Sequence, residues 1–172
     1  MLATGDVPEA LLAEIRLLVD AAFAGRFSDD DWAHGLGGRH GIVTEHGSPV
    51  AHASVVPRVL EVAGRPLRVG YVEAVATAPD RQGAGLGSRA MAAIGALVRE
   101  EYEMGALCTS AAGFYTRLGW ERWQGPTYVR DGARTVRTAD EDDGIMVLRF
   151  GASAAVDLSS SISCEARAGD DW

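Results

Sequence analysis

Three glycines fall within six residues, Gln82-Gly83-Ala84-Gly85-Leu86-Gly87, between a segment with strand alternation and the main amphipathic helical pattern. This order constrains the fold more than any other feature. A strand that enters a glycine turn and leaves it as a helix brings small residues to the positive end of a helix dipole. There the backbone can approach an anionic group closely. The chain contains no Lys, which excludes a Walker phosphate loop, and the dinucleotide-binding spacing does not fit either. The segment therefore predicts a phosphate cradle of another kind.

Around that loop the periodicity predicts an alternation of elements. Pro8 to Phe23 reads as a helix with Leu11, Leu12, Ile15, Leu18, Val19 and Ala22 on one stripe. Ser28 is an N-cap for a short second helix, with Asp29 to Asp31 at its positive end and Gly35 to Gly38 ending it. Strands follow at His40 to Glu45, Val50 to Val62 and Leu67 to Thr77, with turns at His46 to Pro49 and Gly64 to Pro66. Pro79 to Gly87 is a loop and Leu86 to Tyr102 the main helix. Gly105 to Ser110, Trp120 to Trp123, Gly144 to Phe150 and Ser161 to Arg167 are strands, and Ala111 to Leu118 is a short helix stopped by Gly119. Thr127 to Asp143 reads as a long polar connection. The result is one α+β domain over residues 1–172, a mixed and mostly antiparallel sheet flanked by helices, with a parallel strand pair near its centre.

Two side chains in this framework are chemically conspicuous. Glu73 lies mid-strand, where alternation puts it on one face with Leu67, Val69, Tyr71 and Val75, and a carboxylate on an apolar face usually marks a site. It can take a proton from an ammonium, directly or through a water, or form a plain ion pair with Arg58 or Arg68. Tyr115 lies in Gly113-Phe114-Tyr115-Thr116-Arg117-Leu118-Gly119-Trp120. A phenol titrating near ~10 can lend a proton to a thiolate whose thiol titrates near ~8.5, or it can simply pack on Trp120.

Composition narrows the partners. The net charge is −8, which disfavours nucleic acid and anionic membranes and suits a cationic small molecule. Cys108 and Cys164 match no metal-ligand spacing, so no metal is expected. Asp6, Glu9, Glu14, Arg16 and Asp20 interrupt the first residues, and no apolar run reaches the ~20 residues of a membrane span. A soluble, cytoplasmic protein is expected.

With the strand before it and the Phe114-to-Trp120 segment after it, the glycine loop resembles the pyrophosphate loop of the GNAT superfamily of N-acetyltransferases. The resemblance extends to Phe23-Ala24-Gly25, Asp31-Trp32, His34, Leu36-Gly37-Gly38, Gly70-Tyr71-Val72-Glu73, Gly105-Ala106-Leu107, Gly119-Trp120, Gly125-Pro126-Thr127 and Arg167 to Trp172. These look like the aminoglycoside 2′-N-acetyltransferases, from about residue 20 to Trp172. The resemblance implies a GNAT fold, acetyl-CoA as cosubstrate, an aminoglycoside as acceptor and a homodimer. It implies that Val75, Ala76, Thr77 and Gln82, Gly83, Ala84, Gly85, Leu86, Gly87 and Ser88 hold the coenzyme. Glu73 would relay the amine proton, the Val75 amide would polarise the thioester carbonyl and Tyr115 would serve as general acid. Asp31, Glu73, Ala74, Cys108, Thr109, Asp142, Asp143, Asp170 and Trp172 would meet the sugar. A polyamine suits several carboxylates and an aromatic face. Other outcomes of the same sequence are a GNAT enzyme for another small amine or a peptide, or a non-catalytic aminoglycoside or acyl-CoA binder.

One position departs from the pattern. Where the resembled enzymes carry Asp directly after Phe-Ala/Glu-Gly, this chain has Arg26. A contact between like charges there costs about 1–4 kcal/mol at intermediate dielectric. Arg26 either turns to solvent or pairs with Asp29 or Asp30, or it holds an anionic group on the substrate. Kasugamycin, which carries a carboxylate on its amidine group and a 2′ amine, fits the last option.

Overall fold

In the computed structural model, which describes all residues from Met1 to Trp172, the chain divides into two compact units. The first comprises Met1–Val56 and Val72–Leu97, and the second Pro57–Tyr71 and Val98–Trp172. Two strands and the main helix run from one unit into the other, so each unit is described in turn.

The first unit starts with β1 (Leu2–Ala3), an unpredicted two-residue strand that pairs antiparallel with β2 (Arg39–Glu45). Helix α1 (Glu9–Ala22) begins after Pro8 and buries Ile15, Leu18 and Val19. At its end Ala24 and Gly25 adopt positive φ, and the Gly25 amide reaches back to the Asp20 carbonyl at 2.9 Å. Helix α2 (Asp29–His34) has the predicted cap. Its Asp31 amide donates to Ser28 Oγ at 3.0 Å while Asp31 Oδ2 accepts from the Ser28 amide at 2.8 Å.

Strand β2 turns into β3 (Ser48–Val62) through His46 and Gly47, both at positive φ, the conformation a tight hairpin turn requires. The strand therefore begins at Ser48, two residues before the expected Val50. Ala51 to Val56 are buried without a break, as befits a strand covered on both faces. β3 pairs with β4 (Arg65–Thr77). Ala74 and Ala76 of β4 pack with Val7, Ile15, Leu18 and Val19 in one apolar cluster. A short 3₁₀ turn at Pro79–Arg81 leads into the glycine loop and α3 (Leu86–Glu101), whose Leu86, Ala90, Ile94 and Leu97 form a buried stripe.

The second unit contains β5 (Met104–Cys108), α4 (Ala112–Thr116), β6 (Glu121–Arg122), β7 (Thr127–Asp131), β8 (Arg134–Arg137), β9 (Ile145–Arg149) and β10 (Ile162–Glu165). Its strand order is β6-β9-β5-β4-β3-β10-β7-β8. The expected parallel pair is β4 with β5, in register from Val69↔Met104 to Tyr71↔Ala106. A second parallel pair joins β10 to β7. β10, late in the chain, is thus inserted between β3 and β7.

The polar stretch Thr127 to Asp143 is not a plain connection, as expected, but the β7–β8 hairpin followed by a 3₁₀ turn at Ala139–Glu141. All of β8 is exposed, so it carries no apolar alternation to betray it. The turn between them contains Gly132 at φ +57°, and Asp131-Gly132 was the available signal. No helix is long and apolar enough to cross a membrane.

Candidate functional site

Within the first unit the candidate residues Glu73, Ala74 and Val75 stand at one irregular point in β4. Burial covers Leu67, Val69 and Tyr71 on one face of the strand and Gly70, Val72, Ala74 and Ala76 on the other. The expected face for residues 67 to 75 is thus fully buried only as far as Tyr71, and beyond it Ala74 takes φ +49°. Alanine gains nothing from a left-handed conformation, so the strain of one to three kcal/mol, roughly, is held by its surroundings. Glu73 and Val75, on either side of it, are both half-buried.

Two buried side chains of β3 grip this kink. Ser54 Oγ donates to the Glu73 carbonyl at 3.2 Å, and His52 Nδ1 lies 2.8 Å from the Ala74 carbonyl. His52 Nε2 is 2.9 Å from His40 Nδ1, and His40 Nε2 is 2.8 Å from Thr4 Oγ1. Burial lowers the pKa of both imidazoles, that of His52 to about 4, so both are neutral near pH 7.

Farther along, Gln82 to Gly85 are exposed, and Gly83 and Gly85 have φ +80° and +79°. A Cβ placed on either glycine would meet nothing within 4 Å, so their purpose is conformational and not close packing. The Arg89 amide donates to the Gly85 carbonyl at 3.1 Å. The amides of Leu86, Gly87 and Ser88, one turn earlier, have no carbonyl behind them in the helix. Backbone N–H groups at a glycine turn and a helix start fit a pyrophosphate, the anionic part of coenzyme A. Ala76 is buried, and Thr77 half-buried, at the end of β4. Arg81 closes the base of the loop by an ion pair with Glu45.

Arg26 and Asp31 also belong to this unit. Arg26 is exposed, and its Nε donates to the Phe23 carbonyl at 3.4 Å, at the end of α1. Asp29, one of its two expected partners, instead accepts from Arg16 Nη1 at 3.0 Å. Asp31 is occupied with capping α2.

In the second unit Tyr115 is buried on α4, edge-on to Phe114 and Trp120. Burial pushes its phenol up to about 12, while a hydrogen bond with the Thr109 side chain acts in the opposite direction. Thr109 Oγ1 also accepts from the Ala111 amide at 2.9 Å. Cys108 Sγ lies 3.4 Å from Glu141 Oε2.

Asp142 accepts from the Thr127 amide at 3.0 Å, from Thr127 Oγ1 at 2.9 Å and from both Nη atoms of Arg137, which hold its pKa down to about 2. Its carboxylate fastens the turn to β7. Asp143 is exposed and 3.4 Å from Arg122 Nη1. Asp170 is exposed, and its carbonyl accepts from Arg167 Nε at 2.8 Å. Trp172 is buried, with Nε1 donating to Thr138 Oγ1 at 3.1 Å. No group of three or more His, Cys, Asp or Glu side chains is arranged to hold a metal ion.

A family model described as an acetyltransferase (GNAT) domain matches residues 7–123. The chain belongs to the GNAT family of acetyltransferases. This GNAT chain is 43% identical over 173 residues to the aminoglycoside 2′-N-acetyltransferase of Mycolicibacterium fortuitum, covering 98% of the chain and 89% of that protein.

Among solved structures it resembles Escherichia coli YhbS, a GNAT N-acetyltransferase in complex with CoA. The TM-score is 0.66 at 18% identity, over 92% of this chain and 86% of that one. A Brucella melitensis GNAT acetyltransferase in complex with acetyl-CoA matches with TM-score 0.55 at 21% identity, over 86% and 94% of the two chains. At these identities the likeness establishes the GNAT fold. The chain spans only 31–33% of the length of four further matched structures.

Within this acetyltransferase the residues that sequence reasoning missed are Ser54, His52 and His40, together with the left-handed conformation of Ala74. Their hydrogen-bond partners lie far apart in sequence, so no local spacing revealed them.

Proposed function

We propose that the enzyme transfers an acetyl group from acetyl-CoA to the 2′-amine of an aminoglycoside, in the cytoplasm, and thereby inactivates the drug. The observation that carries this reading is the 43% identity to an aminoglycoside 2′-N-acetyltransferase, spread over nearly the whole chain. When bound, acetyl-CoA supplies an acetyl group activated as a thioester. Val75, Ala76, Thr77 and the loop from Gln82 to Ser88 hold the cosubstrate through backbone amides. Glu73 accepts the proton of the acceptor ammonium, directly or through a water. The Val75 amide donates to the acyl oxygen as it gains charge. Tyr115 donates to the departing sulfur. With its phenol pushed up to about 12, it acts as a hydrogen-bond donor more readily than as a full proton donor.

The carboxylates of Asp31, Glu73, Asp143 and Asp170 attract the polycationic acceptor, Asp142 orders its segment, and Ala74, Cys108, Thr109 and Trp172 complete the sugar's surroundings. Arg26, exposed at the end of α1, selects an acceptor that carries its own carboxylate, which favours a kasugamycin-type substrate. A panel of aminoglycosides with acetyl-CoA, read by thiol release and by mass and position of the new acetyl group, tests the reading. Acetylation at the 2′ amine supports it, and absence of turnover on every member refutes it. Higher kcat/KM on kanamycin or tobramycin than on kasugamycin refutes the role of Arg26.

A further inference from the structure

The hydrogen bonds from Thr4 to Ala74 have only one consistent direction while both imidazoles are neutral. A carbonyl can only accept, so the 2.8 Å contact with Ala74 puts the His52 proton on Nδ1. Neutral His52 then has a bare Nε2, which must accept across 2.9 Å from His40 Nδ1–H. That leaves His40 Nε2 as an acceptor, satisfied by the Thr4 hydroxyl at 2.8 Å, whose one proton goes to this nearer acceptor and not to the Gly38 carbonyl at 3.2 Å. Thr4 is itself placed by the Gly37 amide, which donates to its Oγ1 at 3.0 Å, and by its own amide, which donates to the Gly38 carbonyl at 3.0 Å. Both imidazoles are buried, and His52 is wholly so. Four groups are thus polarised in one sense toward one carbonyl.

That carbonyl belongs to the peptide plane that also carries the Val75 N–H. The chain has no cis peptide bonds, so in this plane the C=O and N–H point in opposite directions. A donor that fixes the Ala74 oxygen toward His52 therefore turns the Val75 N–H away from it. It also withdraws electron density from the amide, making the N–H a better donor. Ser54 fixes the preceding plane in the same manner through the Glu73 carbonyl. With Ala74 at φ +49°, two side chains of β3 hold a conformation that the strand would not choose.

We propose that His52, backed by His40 and Thr4, is a positioning residue for acetyl transfer, setting the direction of the Val75 amide through the Ala74 carbonyl. The inference rests on the acetyl transfer proposed above. Two substitutions separate it from a merely structural role. His52→Asn keeps an amide N–H₂ near the position of Nδ1, whereas His52→Gln carries its amide farther out, near Nε2. Both remove the ring and its packing. The proposal expects His52→Asn to retain kcat within about threefold, and His52→Gln to lose roughly thirtyfold or more, with KM for acetyl-CoA changed little in either.

Imidazole ¹⁵N spectra of the unliganded wild-type protein, which need no substrate, should show His52 protonated on Nδ1. Equal kcat for the two variants, or a His52 proton on Nε2, overturns the proposal. A wild-type enzyme inactive on all aminoglycosides refutes the acetyl-transfer reading instead, and the spectra still decide the hydrogen-bond direction.

Discussion

Arg58 donates its Nη1 to the Asp171 carbonyl at 2.8 Å and so fastens the last residues of the chain to a strand more than a hundred positions earlier. The same buried guanidinium donates through Nη2 to the Glu165 carbonyl at 3.0 Å and through Nε to Glu165 Oε1 at 3.2 Å. It lies 4.7 Å from the centre of the Tyr71 ring, against which Arg167 also stacks at 5.6 Å. The segment Ala166 to Trp172 is therefore part of the second unit, with Asp170 exposed on it.

Replacing Arg58 by Met leaves the Glu165 and Asp171 carbonyls without a buried donor. We expect a loss of about 3 kcal/mol in urea unfolding, in line with removal of one partner from a buried charged network. KM for the aminoglycoside should rise with that for acetyl-CoA unchanged, because the disturbed segment carries Asp170 and not the glycine loop.

Glu73→Gln keeps an oxygen at the end of the same side chain but cannot take a proton. A fall in kcat of roughly a hundredfold or more is expected, with melting temperature preserved within a few degrees. Thiol release measured across pH should show the variant recovering activity at alkaline pH, where the acceptor is already a free amine. An unchanged kcat at pH 7 would remove Glu73 from the reaction.

At Gly85, φ +79° is open to glycine and strained for a branched side chain, although a Cβ there meets no neighbour. Gly85→Val should cost about 1–2 kcal/mol through the backbone alone. The larger effect should be on acetyl-CoA, with KM raised tenfold or more and kcat at saturation little changed. Isothermal titration with CoA reads the same loss without catalysis.

Tyr115→Phe removes the proposed donor to sulfur and leaves the packing on Phe114 and Trp120 in place. We expect kcat to drop by roughly ten- to a hundredfold with little change in stability at neutral pH. The pKa is raised on folding, from 10.0 to about 12, so the unfolded chain loses this proton first. The corresponding stability is intact below pH 10 and is lost as pH climbs toward 12. Ultraviolet titration should show one tyrosine ionising late, and that one should vanish in the Phe variant.

His52 supplies the opposite case at acid pH. Folding lowers its pKa from 6.5 to about 4, so between those values the unfolded chain binds the proton and the folded one does not. Stability present above pH 6.5 therefore drains away as pH falls to about 4, by on the order of 3 kcal/mol. Denaturation midpoints measured from pH 7 to pH 4 should fall more steeply for wild type than for His52→Asn.

The sequence disclosed what local chemistry dictates. Ser28 with Asp31 reads as a helix cap, the glycine loop reads as a strand-to-helix turn, and Glu73 stands out because a carboxylate interrupts apolar alternation. The parallel pairing of β4 and β5 follows from the helix between them. The structure adds what depends on distant partners. Nothing beside Ala74 announces a left-handed residue, since its cause lies in His52 and Ser54, some twenty positions upstream. Nor does β8 announce itself, because an exposed edge strand needs no buried face. Asp142 was expected to meet the sugar, and its neighbours in sequence give no sign of the Thr127 and Arg137 groups that hold its carboxylate.

The insertion of β10 between β3 and β7 also governs the order in which this protein can be made. As the ribosome releases the β7–β8 hairpin, the strand that will join it to the rest of the sheet has yet to emerge. The hairpin must wait, attached through one flank of connecting chain, until Ile162 to Glu165 emerge and slide into the gap. A message cut short before codon 162 would therefore yield a half-built sheet with two open edges, a species prone to proteolysis and aggregation.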